Sequence, residues 1–227
     1  MMPDLKKHFN KEAEAFDKQV QKNIPCYNEM LTALINAIPN NKDSPKILDL
    51  GCGTGNITQK ALNRFPEAEV TCLDLSENMI EIAKDKLSSY ENIEYIVGDF
   101  TQMELNTKYD VVLSSLALHH IPNDEEKEAM YKNIYETLEK DGVFYNADVI
   151  KANSNYNEEL NNKVAIQEMK ENGVTDEEIA EHKGKRDAND IPTTLIKHIK
   201  MLENVGFKEI DVIWKHYSNA VYGGSKK

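Results

Sequence analysis

The chain is short of several things, and each shortage excludes a class of protein. Only three of its 227 residues are cysteine. Cys26, Cys52 and Cys72 are far apart, with no CxxC and no paired Cys/His spacing. That gives no disulfide framework and no sequence signature of zinc. No run of about 18 apolar residues occurs, so no segment reads as a membrane-spanning helix. The opening stretch MMPDLKKHFNKEAEAF lacks the apolar centre of a secretory signal, so a cytoplasmic location is expected. Positive charge is in deficit, with a formal net charge of -12. That argues against a general nucleic-acid surface, although a local basic patch stays compatible with an acidic total. Repeats and low-complexity tracts are missing as well.

What remains is an ordinary globular balance, 40% hydrophobic and 29% charged, long enough for one large domain with additions. The stretch from Phe9 to about Asn36 reads as helix. Phe9, Ala13, Phe16 and Val20 recur at helical spacing, Tyr27, Met30, Leu31, Leu34 and Ile38 form a second stripe, and Pro25 separates the two. PNNKDSP is a turn-rich linker.

From Lys46 the pattern alternates. KILDL, EVTCLDL, IEYIVGD, YDVVLSSLAL and GVFYNADVI read as strands. NITQKALNRF, SENMIEIAKDKL and NDEEKEAMYKNIYETLEK read as the helices among them, with Ser76 as an N-cap. Strands and helices in alternation predict an α/β fold with a parallel sheet. After Ile150 the composition turns polar. Leu160, Val164, Ile166 and Met169 keep a helical spacing there, so a helical cap is expected. TTLIKHIKMLENVGF is a final helix ending near Gly206, and KEIDVIWKHY with SNAVYGGSK reads as a hairpin. The expected divisions are 1–42 for N-terminal cap helices, 43–150 for the core, 151–192 for the inserted cap, and 193–227 for the closing helix and hairpin.

One loop raises a chemical question. In LDLGCGTGNI, Gly51, Gly53 and Gly55 follow the first strand and precede the first core helix. Glycines at that place let a ligand approach the backbone. A dinucleotide fits the location, but its fingerprint is G-x-G-x-x-G and the third glycine here arrives one residue early. Asp49 followed by G-x-G-x-G instead resembles motif I of the class I S-adenosylmethionine (SAM)-dependent methyltransferases. Asp74 ends the next strand, Asp99 and Phe100 follow the third, and Ser115 ends the fourth, ahead of His119 and His120. All fall at one edge of the predicted sheet.

The resemblance implies a Rossmann-like seven-stranded sheet and a cofactor, SAM, converted to S-adenosylhomocysteine. It implies that the loop, Cys52 included, lies against the methionine end with Asp49 supporting it. Asp74 would hold the ribose, Leu75 and Met79 would line the adenine pocket, and Asp99 with Phe100 would meet the adenine. Ser115 would face the methionine portion, and the two histidines the methyl group. Each histidine also reads as a structural residue. NIPCYNEML and IPTTLIKHIKMLENVGF are similar to segments of the carboxy-SAM synthase family, which serves wobble-uridine modification of tRNA. That similarity puts Tyr27 on the cofactor. The family's cap arginine is matched nearest by Lys183, with Arg186 three residues on. Lysine is a poor substitute at a bidentate carboxylate site, so plain methyl transfer is the primary expectation. Phe16, Tyr27, Trp214, Tyr217 and Tyr222 are candidate walls for an acceptor, or ordinary packing. A small, neutral or cationic, partly apolar acceptor is expected, with tRNA kept open and the protein a monomer or homodimer.

Overall fold

The computed structural model describes residues 16–103 and 105–227. The expected helical positions Phe9 and Ala13 lie outside the described residues. Helices α1 (Phe16–Asn23) and α2 (Tyr27–Asn36) flank Pro25, as a proline break requires. There follow β1 (Lys46–Leu50), α3 (Asn56–Arg64), β2 (Glu69–Asp74), α4 (Glu77–Lys86), β3 (Ile93–Val97) and β4 (Tyr109–Ser115). A short 3₁₀ turn, Leu118–His120, leads to α5 (Asp124–Thr137) and β5 (Leu138–Val149). Then come α6 (Asn155–Glu171), α7 (Asp176–Asn189), α8 (Leu195–Val205), β6 (Lys208–His216) and β7 (Asn219–Ser225).

The strands form one seven-stranded sheet in the order β3-β2-β1-β4-β5-β7-β6. Neighbours are parallel except around β7, which runs antiparallel to both β5 and β6. The order reverses between β1 and β4. In open α/β sheets a ligand crevice forms at such a reversal, beyond the carboxyl ends of the strands.

Period-two alternation divides each strand between two cores. Ile47, Val70, Val111 and Val143 pack on one face with α2 and α3. Leu48, Leu73, Val112 and Phe144 pack on the other with α5 and α8. Capping proceeds as the sequence indicates. Ser76 Oγ accepts from the Met79 N–H at 3.1 Å, and Gly206 (φ +113°) ends α8.

Two boundaries differ from expectation. The helix expected to run to Lys140 stops at Thr137, because Leu138 already pairs with Tyr109 in the sheet. In the 151–192 segment two helices do form, but Leu160 and Ile166 are exposed. The small core joining α6 to α7 keeps the expected Met169 and adds Ala165, Val174 and Ile179. Among the described residues, no helix is long and apolar enough to cross a membrane.

Candidate active site

The glycine loop turns three times through left-handed backbone, with φ +75° at Gly51, +52° at Gly53 and +83° at Gly55. Sterics add a second demand at Gly51, where a Cβ would stand 2.4 Å from the Ala117 Cβ. A Cβ on Gly53 would meet nothing within 4 Å, so this glycine faces open space. The loop is tied to β2 by its backbone. Gly51 N–H donates to Leu73 O at 2.8 Å, and Gly53 N–H donates to Asp74 Oδ2 at 2.8 Å. Ser76 N–H holds the other Asp74 oxygen at 2.8 Å. Burial pushes the Asp74 carboxyl up, against the pull of these N–H donors.

Asp49 lies beneath the loop, fully buried. Thr58 Oγ1 donates to its Oδ2 at 2.7 Å, while Oδ1 has no partner among the described residues. Burial raises this carboxyl to about 7 despite the Thr58 hydrogen bonds.

Above the loop is a cleft with about 690 Å³ of empty space, part of it open to solvent. Gly51, Cys52, Gly53, Asp74, Leu75, Met79, Phe100 and Ser115 line it, together with Phe16 and Tyr27 from α1 and α2. Asp49, Gly55 and Asp99 do not. Asp99 sits in a tight turn, its Oδ1 accepting from Thr101 N–H at 3.0 Å and Thr101 Oγ1 at 2.6 Å. Ser115 Oγ is buried without a protein partner among the described residues.

A polar clasp that the sequence does not advertise closes one side. Asp17 on α1 accepts from Thr54 Oγ1 at 2.6 Å, from Asn56 Nδ2 at 2.9 Å and from Lys86 Nζ at 2.6 Å. Asn56 Nδ2 also reaches the Tyr27 hydroxyl at 3.2 Å. The N-terminal helices are thereby fixed to the loop and to α4.

A second cleft, with about 990 Å³ of empty space, adjoins the first and shares Phe16, Leu116 and His120 with it. Leu116 stands at φ +51°, an unusual conformation for leucine, where the chain leaves β4. His119 lines only the second cleft. Its Nδ1 is 2.5 Å from Asp148 Oδ1, and its Nε2 is 3.5 Å from Asp190 Oδ1. Burial alone would lower the His119 pKa, but Asp148 and Asp190 outweigh it and raise it to about 10, so the ring is an imidazolium. His120 behaves in the opposite way. Burial and the charge on His119 push it down to about 4, leaving it neutral. The two ring centroids are 4.0 Å apart.

The remaining sequence candidates separate. Arg186 lines the second cleft and donates to Asn162 Oδ1 at 3.1 Å. Lys183 lines neither cleft; it is exposed and pairs with Asp187 at 2.5 Å, one helical turn away. Trp214 packs against the core and stacks on His216, and Tyr217 is exposed beside the same ring. Tyr222 is fully buried and bonded to Asn146 Nδ2 at 2.9 Å. These three aromatics line neither cleft, although the adjoining Ser218 and Asn219 line the second.

Comparison with known proteins agrees with this architecture. Residues 47–142 match the family model for a methyltransferase domain. The carboxy-S-adenosyl-L-methionine synthase of Helicobacter pylori (strain HPAG1) is 30% identical over 90% of this chain and 87% of its own length. The malonyl-[acyl-carrier protein] O-methyltransferase of Acetivibrio thermocellus is 32% identical over 61% of this chain and 47% of its own. The DhpI-SAM-HEP complex superposes with a TM-score of 0.66 over 96% of this chain and 94% of that one, at 16% identity. A glycine loop opening on the sheet reversal, an acidic residue ending β2, and full-length likeness to such a relative lead to one conclusion: this chain belongs to the class I SAM-dependent methyltransferase family.

Proposed function

We propose that SAM occupies the glycine-loop cleft and a small acceptor occupies the adjoining one, with the methyl group crossing where Phe16, Leu116 and His120 belong to both. That shared wall is the observation that carries the reading. The residues fit the cofactor. Asp74 keeps acceptor capacity on both oxygens for a ribose diol. Leu75, Met79 and Phe100 offer an apolar slot for adenine, with Asp99 close in sequence for its amino group. Open space at Gly53 and the unpartnered Ser115 hydroxyl suit the polar methionine end. The unpartnered Asp49 oxygen below the loop suits its ammonium field.

When bound, SAM supplies a methyl group already activated by a sulfonium. The chain's task is then alignment and exclusion of water. His120, neutral and on the boundary, is placed to take a proton from the acceptor. His119 is held charged and serves as a fixed cation, not as the base. Lys185 and Arg186 line the second cleft, but Glu181 pairs with Lys185 at 3.0 Å, Asp148 and Asp190 flank the imidazolium, and the charge around the cleft is close to balanced. In this reading the described residues 16–42 of the N-terminal division, with 151–192, roof the acceptor, and 43–150 with 193–227 form the cofactor core. Three free thiols suit a reducing, cytoplasmic setting.

A second reading is favoured by the placement of Arg186. The H. pylori relative is by name a carboxy-SAM synthase, and an arginine in the acceptor cleft could pair a carboxylate two-pronged. Native mass spectrometry of the purified chain, with identification of the released molecule, distinguishes the two. SAM or S-adenosylhomocysteine supports methyl transfer. Carboxy-SAM moves the function to tRNA modification. A chain that holds none and rejects added SAM defeats both.

A further inference from the structure

Behind the second cleft, but lining neither, three elements distant in sequence bring together Cys26, Glu168 and His216. Cys26 precedes α2, Glu168 lies near the end of α6, and His216 ends β6. His216 Nε2 is 2.8 and 3.1 Å from the two Glu168 oxygens. One ligand-capable atom from each of the three residues falls within 4.8 Å of the other two, and all three residues are half-buried. Glu29, one helical turn beyond Cys26, accepts a hydrogen bond from the thiol. The imidazole is held in place by Trp214 stacked at 6.0 Å and Tyr217 edge-on at 4.9 Å.

We infer that Cys26, Glu168 and His216 form a binding site for a divalent zinc-type cation, with Glu29 placed to complete the shell. Sulfur, imidazole nitrogen and carboxylate oxygen are the donor set of zinc, and four donors match its tetrahedral preference. Two acidic side chains beside a thiol are poorly matched without a cation. A divalent ion replaces the thiol proton, which leaves to solvent, and turns that mismatch into ligation. Sequence spacing could not show this site, because its ligands come from three separate elements.

The site also has a mechanical role. Pro25, Met169 and Ser218 line the second cleft, and each is within two residues of a ligand. Tyr27, next to Cys26, lines the first. A metal here fastens α2, α6 and the β6–β7 turn together behind the acceptor cleft.

The test uses the full chain, stripped with a chelator and titrated with zinc against a chromophoric competitor. The expected result is one ion per chain and a higher melting temperature with zinc. Cobalt substitution is expected to give a thiolate-to-metal charge-transfer band with tetrahedral d–d absorption. Cys26→Ser and His216→Ala should each weaken binding by at least the roughly 10- to 100-fold that even outer-shell losses cost. Glu168→Gln should do the same with the smallest change of shape. Far-UV circular dichroism of the metal-free variants checks folding, and any one variant that folds suffices. The inference is overturned if wild type binds no tighter than these variants, or if cobalt shows no thiolate band. It is equally overturned if His120→Ala abolishes binding while Cys26→Ser and His216→Ala keep it, which would place the metal at His119, His120 and Asp190.

Discussion

The Gly53 N–H donates to Asp74 Oδ2 at 2.8 Å, so the loop after β1 and the end of β2 are joined through one carboxylate. Asp74 is therefore both a candidate ligand group and a structural acceptor. Asp74→Asn should weaken SAM binding and cost about 1–3 kcal/mol of stability, because one of two buried N–H donors then faces an amide N–H. Calorimetric titration with SAM and urea denaturation measure the two effects. A variant as stable as wild type and binding equally well would sink this account.

Glycines 51 and 53 should fail in different ways. Gly51→Ala meets Ala117 at 2.4 Å in addition to its positive φ, and should lower the melting temperature markedly. Gly53→Ala carries only the backbone cost, about 1–2 kcal/mol. Its new methyl projects into open space, so cofactor affinity should suffer more than stability. Equal losses in both assays for the two variants would contradict this.

The His119–Asp148 pair makes stability depend on pH with a definite sign. The folded pKa of about 10 lies above the ordinary 6.5. A raised cationic pKa gives stability that is complete below about 6.5 and is lost as pH rises through about 10. Asp148→Asn should cost about 3–5 kcal/mol near neutrality, the usual penalty for stranding one partner of a buried pair. Its melting temperature should fall less than that of wild type between pH 6.5 and 10. Parallel curves would rule the pairing out as the cause.

Asp49 has the opposite chemistry. Its folded pKa of about 7 exceeds the ordinary 3.8, so the neutral form is favoured and stability is lost as pH rises through that interval. Asp49→Asn removes the titration. The stability gap between wild type and variant should therefore move against wild type from pH 4.5 to 7.5, by about 1.4 kcal/mol for each pH unit lying between the two pKa values. Denaturant curves at the two pH values decide it, and a constant gap is the refuting result.

Lys183 and Arg186 provide a paired control. Lys183→Ala removes an exposed i,i+4 ion pair and should change stability by less than about 0.5 kcal/mol, with no kinetic effect. Arg186→Ala removes a lining group of the second cleft and, if that cleft takes the acceptor as proposed, should raise KM for it. Reversed effects would place the acceptor elsewhere.

What the sequence shows well is what short-range physics determines. The glycine loop, the acidic end of β2, the Ser76 cap and the Gly206 terminus each follow from a few adjacent residues. Alternation of strands and helices was enough for the sheet. Asp17 was invisible because a carboxylate on a helix reads as a solvated face, and its partners Thr54, Asn56 and Lys86 are brought to it only by the fold. The state of His119 was hidden for the same reason, since Asp148 lies 29 residues away on β5. Trp214 and Tyr217 looked like acceptor walls because aromatic content gives no direction. Trp214 packs against the core and Tyr217 lies edge-on to His216, while it is the next two residues, Ser218 and Asn219, that line the second cleft.

The Asp17 clasp has a kinetic consequence. Helix α1 supplies Phe16 to the cleft wall, yet the helix's one fully buried apolar side chain among the described residues is Val20. Its polar attachment to the loop centres on Asp17, whose bonds water can replace during a brief local opening. The residence time of any occupant of the glycine-loop cleft is then set by how often that latch lifts, while the sheet beneath remains folded.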